Sequence, residues 1–122
     1  MFTQKTLEYI FNKTDGHCHF CGDFIVFKKY GLKDVNDTKG VWEADHINQK
    51  GKGGNKNADN CLPACYQCNR LRWHRKGDDI RELLFLGLIA KEQIKNGSDL
   101  GKQLLGLKQK RISSNTKRRR ML

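Results

Sequence analysis

Cys65-Tyr66-Gln67-Cys68-Asn69-Arg70, read with Cys18-His19-Phe20-Cys21 far upstream, decides the fold. Two residues between cysteines form a tight turn that aims both thiolates at one point. Two such pairs predict one tetrahedral zinc site. Gly16 and His17 precede the first pair, and Gly22 follows it. The gap between the pairs exceeds that of a compact zinc ribbon, so it must hold an insertion. Cys61, between Asn60 and Leu62, reads as a small core hydrophobe on a short buried strand. Met1 to Thr14 lacks the apolar segment of a secretory signal, so the expected setting is the reducing cytoplasm, where disulfides are rare.

Size and composition explain why a staple is needed. The 122 residues suggest one compact body, but only 37% are apolar and 30% are charged. A chain of this length buries about 65% of its unfolded surface. A core this thin commonly relies on a metal or disulfides. Lys and Arg number 24 against 13 Asp and Glu, a net charge of +11, which points to nucleic acid as partner. No apolar run approaches the roughly 18 residues of a membrane span, so no membrane role is expected.

Along the chain, Thr3 to Lys13 predicts a short helix capped by Thr3, with Phe2, Leu7, Ile10 and Phe11 facing the core. Phe24 to Phe27 reads as a strand. Lys28 to Lys39 reads as a loop or a loose hairpin, and Val41 to Ile47 as a second strand. Asn48 to Asn60, with Gly51, Gly53 and Gly54, is a long loop of the kind that carries function. Cys61 to Ala64 is extended before Pro63, and Cys65 to about His74 is helical. Ile80 to about Lys95 predicts a further helix, whose wide apolar stripe fits either deep packing or a homodimer or protein-partner surface. Asn96-Gly97-Ser98 ends it. Lys102 to Leu122 holds eight Lys or Arg and no acid, and reads as a mobile tail that touches phosphates. The expected organisation is a domain over 1–77 and a helical extension with a basic tail over 78–122.

Asp45-His46, Asn60 and Asn69 carry the chemistry. Phosphodiester hydrolysis needs a base for water, a task that suits an imidazole. It also needs a divalent cation for the charge developing on phosphate and leaving oxygen. Mg²⁺ takes hard oxygen ligands, and Asp45 and Asn69 offer a carboxylate and a carboxamide. Asn60 is placed to hold the loop and orient the His46 ring. Adjacent strand residues face opposite ways, so Asp45 and His46 can share a site only if the strand bends there. Glu43 is either a tuning residue behind the site or a plain strand-face carboxylate. Arg70, Arg72, Arg75 and Lys76 follow as candidate phosphate clamps, as do loop residues Lys50, Lys52 and Lys56 and tail residues Lys117, Arg118, Arg119 and Arg120.

Trp42-Glu43-Ala44-Asp45-His46-Ile47, Gly53-Gly54, Asp59-Asn60-Cys61-Leu62-Pro63 and Cys65-Tyr66-Gln67-Cys68-Asn69-Arg70, in that order, resemble the HNH endonuclease motif. The likeness is to the zinc-knuckle branch and spans about Asp15 to Arg72. It implies an α+β fold: a small zinc-stapled ββα-metal domain, treble-clef-like, with flanking helices. It implies that His46 is the general base, that Asn60 steadies it, and that Asp45 and Asn69 hold Mg²⁺ or Mn²⁺. Cys18, Cys21, Cys65 and Cys68 would hold structural Zn²⁺. The substrate implied is DNA, cut to leave a 5′-phosphate and a 3′-hydroxyl, in a prokaryotic or phage context. One departure stands out. Many members carry a second His four residues after the last motif position, where this chain has Trp73, leaving two protein ligands and favouring Mg²⁺ or Mn²⁺ over a tighter metal. His74 is one position beyond and is not assigned. The alternative is a zinc-stapled DNA-binding module without catalysis.

Overall fold

The computed structural model describes residues 2–32, 36–47, 58–73 and 77–119. Helix α1 (Gln4–Asn12) starts as the sequence predicts. Thr3 Oγ1 accepts from the Thr6 amide at 3.2 Å, satisfying one of the amides a helix start leaves unpaired. Its apolar side faces inward: Ile10 is fully buried, and Phe2, Leu7 and Phe11 pack around it.

Strands β1 (Trp42–His46) and β2 (Cys61–Cys65) pair antiparallel, with Trp42 opposite Cys65 and His46 opposite Cys61. A two-stranded sheet consists of edges, which is why Pro63 is tolerated in β2. Such a ribbon is marginal alone, and an aromatic cluster supports it. Trp42 has no exposed surface, packs against Tyr30 and Phe11 at centroid distances of 4.7 and 5.6 Å, and donates its indole N–H to Phe27 O at 3.2 Å. Cys61 joins this core, as expected of a small hydrophobe on a short buried strand. Helix α2 (Tyr66–Trp73) continues directly from β2 and completes a ββα unit.

Three expectations need correction. Phe24 to Phe27 is not a strand. Ile25 N bonds to Gly16 O and Val26 N to Gly40 O, so each side of the run meets a different segment, and Phe27–Lys29 is a 3-10 turn. Phe24 makes one isolated antiparallel bridge to His17, and the pairing goes no further, so no ladder forms. The apolar helix is not packed deep. It is α3 (Gly77–Asn96), none of its residues is buried, and Phe85 and Leu88 are 66% and 63% exposed. The basic segment is not a mobile tail through 119, because Asp99–Arg119 forms helix α4.

Helices α3 and α4 make a hairpin. Ser98 Oγ caps α4 by accepting from the Gly101 amide at 3.0 Å. A Cβ at Gly101 would lie 2.0 Å from Gln93 O, so only glycine allows the two helices to cross this closely. Farther along, α4 meets the first cysteine turn. Arg111 Nη1 donates to Cys21 O at 3.0 Å, and the buried Asn115 donates Nδ2–H to Phe20 O at 2.8 Å. Gly22, at φ +82°, has no side chain because a Cβ there would lie 2.7 Å from Asn115 Oδ1. No helix of the described residues is long and apolar enough to cross a membrane.

Candidate active site and metal centre

The antiparallel register carries Cys65 to the start of α2, where Cys68 follows one turn on. His19 N bonds to Pro63 O at 2.9 Å and so hangs the Cys18–Cys21 turn on β2. The four sulfurs of Cys18, Cys21, Cys65 and Cys68 then lie within 4.8 Å of one another, with Cys21 and Cys65 3.9 Å apart. Zn–S bonds of about 2.3 Å in a tetrahedron place sulfurs roughly 3.8 Å apart. The amides of Phe20, Asp23 and Cys68 point at Cys18, Cys21 and Cys65 Sγ respectively at 3.4 to 3.5 Å, as suits thiolate acceptors. Hydrogen bonds from Cys21, Cys65 and Cys68 pull the Cys18 thiol far down in pKa, while the hydrogen bond with Cys18 holds Cys68 far up. Sulfurs this close must share protons unless a cation lets all four ionise. The set therefore fits a zinc ion in geometry and chemistry.

Asp45 lies beside this cluster. Its carboxylate is fully buried and receives three donors. His19 Nε2 donates to Oδ2 at 2.8 Å, Arg72 Nη1 to Oδ2 at 2.6 Å, and Trp73 Nε1 to Oδ1 at 3.0 Å. Burial opposes ionisation of Asp45. The His19 and Trp73 hydrogen bonds and the Arg72 charge outweigh it and hold the carboxyl below its usual range. Arg72 also donates to Ile47 O at 3.1 Å, and its guanidinium lies 4.6 Å from the Trp73 ring centroid and 5.8 Å from that of Phe20. Arg72, expected at phosphates, thus has its charge committed inside the protein.

His46 is the next residue on β1 and does not share these partners; its ring stands 6.4 Å from that of Phe2. The strand stays paired through His46, which stands opposite Cys61. Asn60 closes the 3-10 turn Ala58–Asn60, and its carbonyl accepts from the Ile47 amide at 2.8 Å. Asn69 is buried on α2. Among the described residues, His46 Nε2, Asn69 Oδ1, Glu43 Oε1 and Arg70 Nε are buried atoms without a hydrogen-bond partner. All four come from β1 and α2. Glu43 and Arg70 sit 3.9 Å apart, too far for a hydrogen bond, and Arg70 covers the Tyr66 ring at 4.8 Å.

The fit to a catalytic cation is narrower than the fit to zinc. Asn69 Oδ1 is a free hard oxygen. A carboxylate has about four acceptor positions, and donors among the described residues take three of those on Asp45. Trp73 stands where the resemblance leads one to expect a histidine ligand, and its N–H reaches Asp45 instead. His19, Arg72 and Trp73 as the environment of Asp45 are what sequence reasoning missed. His19 is spaced like any residue inside a Cys-x-x-Cys turn, and nothing local signals its partner 26 residues away.

Of the other candidates, Lys117, Arg118 and Arg119 lie in the last turn of α4. Arg118 Nη1 donates to Asn115 Oδ1 at 3.1 Å. Lys50, Lys52, Lys56, Gly53, Gly54, His74, Arg75, Lys76 and Arg120 fall outside the described residues.

The family model described as HNH endonuclease matches residues 18–75. No curated protein and no solved structure matches the chain.

Proposed function

We propose, from the match of residues 18–75 to the HNH endonuclease family model, that this chain is a metal-dependent DNA endonuclease stapled by zinc on Cys18, Cys21, Cys65 and Cys68. The observation that carries this reading is the pair of unpartnered buried atoms His46 Nε2 and Asn69 Oδ1 on the ββα unit. A base needs an open nitrogen, and a cation ligand needs an open oxygen.

His46 Nε2 takes a proton from water as that water adds to phosphorus. The P–O3′ bond breaks, the 3′ oxygen leaves and takes a proton from solvent water, and the 5′-phosphate remains. Asn60 holds the end of β1 through the Ile47 amide and so keeps the ring in place. Asp45 and Asn69 would hold Mg²⁺ or Mn²⁺, which supplies charge stabilisation at the phosphate and the leaving oxygen. Arg70, Lys117, Arg118 and Arg119, with Arg75, Lys76 and Arg120, are the proposed phosphate contacts. Net charge +11 favours that partner.

Supercoiled plasmid incubated with Mg²⁺, Mn²⁺ or EDTA tests the reading. Wild type is expected to nick or linearise DNA, EDTA to stop it, and His46→Ala to lose about 10²-fold or more. Equal cutting by His46→Ala would remove the mechanism. The three donors on Asp45, one of them Trp73 in a ligand's place, favour a second reading: a zinc-stapled binder that retards DNA in a gel and cuts nothing under any metal.

A further inference from the structure

Lysine is almost never buried unless something holds its charge. Lys13, just beyond α1, is only 6% exposed. Its Nζ donates to Ala58 O at 2.7 Å and to Cys61 O at 3.0 Å, and sits 4.9 Å from the Tyr9 ring centroid. Tyr9 adds a second tie, with its hydroxyl donating to Asp59 Oδ1 at 3.0 Å. Burial lowers the Lys13 pKa, and the Asp59 charge works against that fall.

The two carbonyls bracket Asp59-Asn60. Asn60 O in turn receives the Ile47 amide, and Cys61 stands opposite His46. One ammonium therefore grips both ends of the turn that fixes the last pairing of β1. Lys13 and Tyr9 both lie outside the matched residues 18–75.

We propose that Lys13 is a positioning residue for the nuclease site: it locks the Ala58–Asn60 turn and thereby the placement of His46. The inference rests on the nuclease reading for its catalytic consequence, while the locking itself is structural and separately measurable.

The test uses the full chain with zinc bound and compares wild type with Lys13→Met, Lys13→Arg and Tyr9→Phe. Amide exchange is read at Ile47. The reference is Gly31 and Tyr66, whose amides bond to Trp42 O and Val41 O at the other end of the sheet. In Lys13→Met the Ile47 amide is expected to exchange about 10-fold faster while the reference amides hold. Plasmid nicking is expected to lose about 10- to 100-fold in kcat with KM for DNA within about 2-fold. Lys13→Arg, which keeps the cation, recovers most of both. Tyr9→Phe, at an exposed position, moves Ile47 in the same direction by about 3-fold.

An unchanged Ile47 amide in Lys13→Met overturns the proposal. So does acceleration of Ile47 and the reference amides alike, which marks general destabilisation. If Lys13→Met does not fold, Tyr9→Phe decides: no shift at Ile47 overturns the proposal. If wild type cuts no DNA, the nuclease reading fails by itself and the exchange measurement still judges the lock.

Discussion

In residues 2–73, Lys13, His19, Asp45 and Asn69 are buried polar groups, and the first three are hydrogen-bonded across long stretches of chain. In residues 77–119, Leu84, Phe85, Leu86 and Leu88 stand more than half exposed, and the only buried residues of α4 are Gly101 and Asn115. The first region is specified by point contacts between ligands and charges. The second is specified by helix caps and one close crossing. A fold built on points fails when one point is lost, whereas a helical hairpin with open faces tolerates surface change.

The largest expected effect breaks the first region alone. Chelation of bound zinc should remove on the order of 10 kcal/mol of folding free energy. Amide dispersion for residues 2–73 is then expected to collapse while helical circular dichroism from α3 and α4 persists in part. Simultaneous loss of both signals would show that the two regions do not differ as described.

Next comes Asp45. Asp45→Ala leaves Arg72 and His19 facing a void, and breaking a buried pair this way costs about 3–5 kcal/mol. Urea unfolding of the zinc-bound protein measures it. The acid dependence has a definite sign. The folded pKa of Asp45 is depressed, so its stabilisation is present above the unfolded value near pH 4 and is lost as pH falls through the folded value. The stability gap between wild type and Asp45→Asn should therefore hold above about pH 4 and close below it. A gap unchanged at low pH would show that the carboxylate does not act through its charge.

Trp73→Phe is smaller. It removes one N–H donor at a partly exposed position and should cost about 1 kcal/mol in the same unfolding experiment. The variant also sharpens the functional comparison, since it frees Asp45 Oδ1. Mn²⁺ binding by calorimetry is expected to tighten, and weaker binding would mean that the indole orients the carboxylate. The smallest effect belongs to α3. Leu84→Glu should change stability by no more than about 0.5 kcal/mol. A loss several times larger would mean that something covers this face in solution.

How far each region was legible follows from the same contrast. Cysteine spacing is a local signal with few physical solutions, so the clustering of the four cysteines and the ββα order could be read directly. Thr3, Ile10 and Cys61 were legible because capping and burial leave short-range marks. The Asp45 environment was not legible. Its partners arrive from positions 19, 72 and 73, and only the antiparallel register brings them together. Phe24 to Phe27 has strand composition, but composition does not provide a neighbour long enough to pair with. The basic charge from Lys102 onward suggested a solvated chain, and the docking of Asn115 on a backbone carbonyl carries no sequence signature.

That docking bears on the order of assembly. Arg111 and Asn115 reach back over 90 and 95 residues to the carbonyls of Cys21 and Phe20. Helices α3 and α4 can find each other early, because their crossing is local and short loops close quickly. The embrace of the cysteine turn cannot form until that turn has its shape, and it must close nearly the whole chain into one loop. Closure entropy rises only slowly with loop length, so the contact is sustainable once made, yet it comes late. Helix α4 thus seals the first cysteine turn after both have formed.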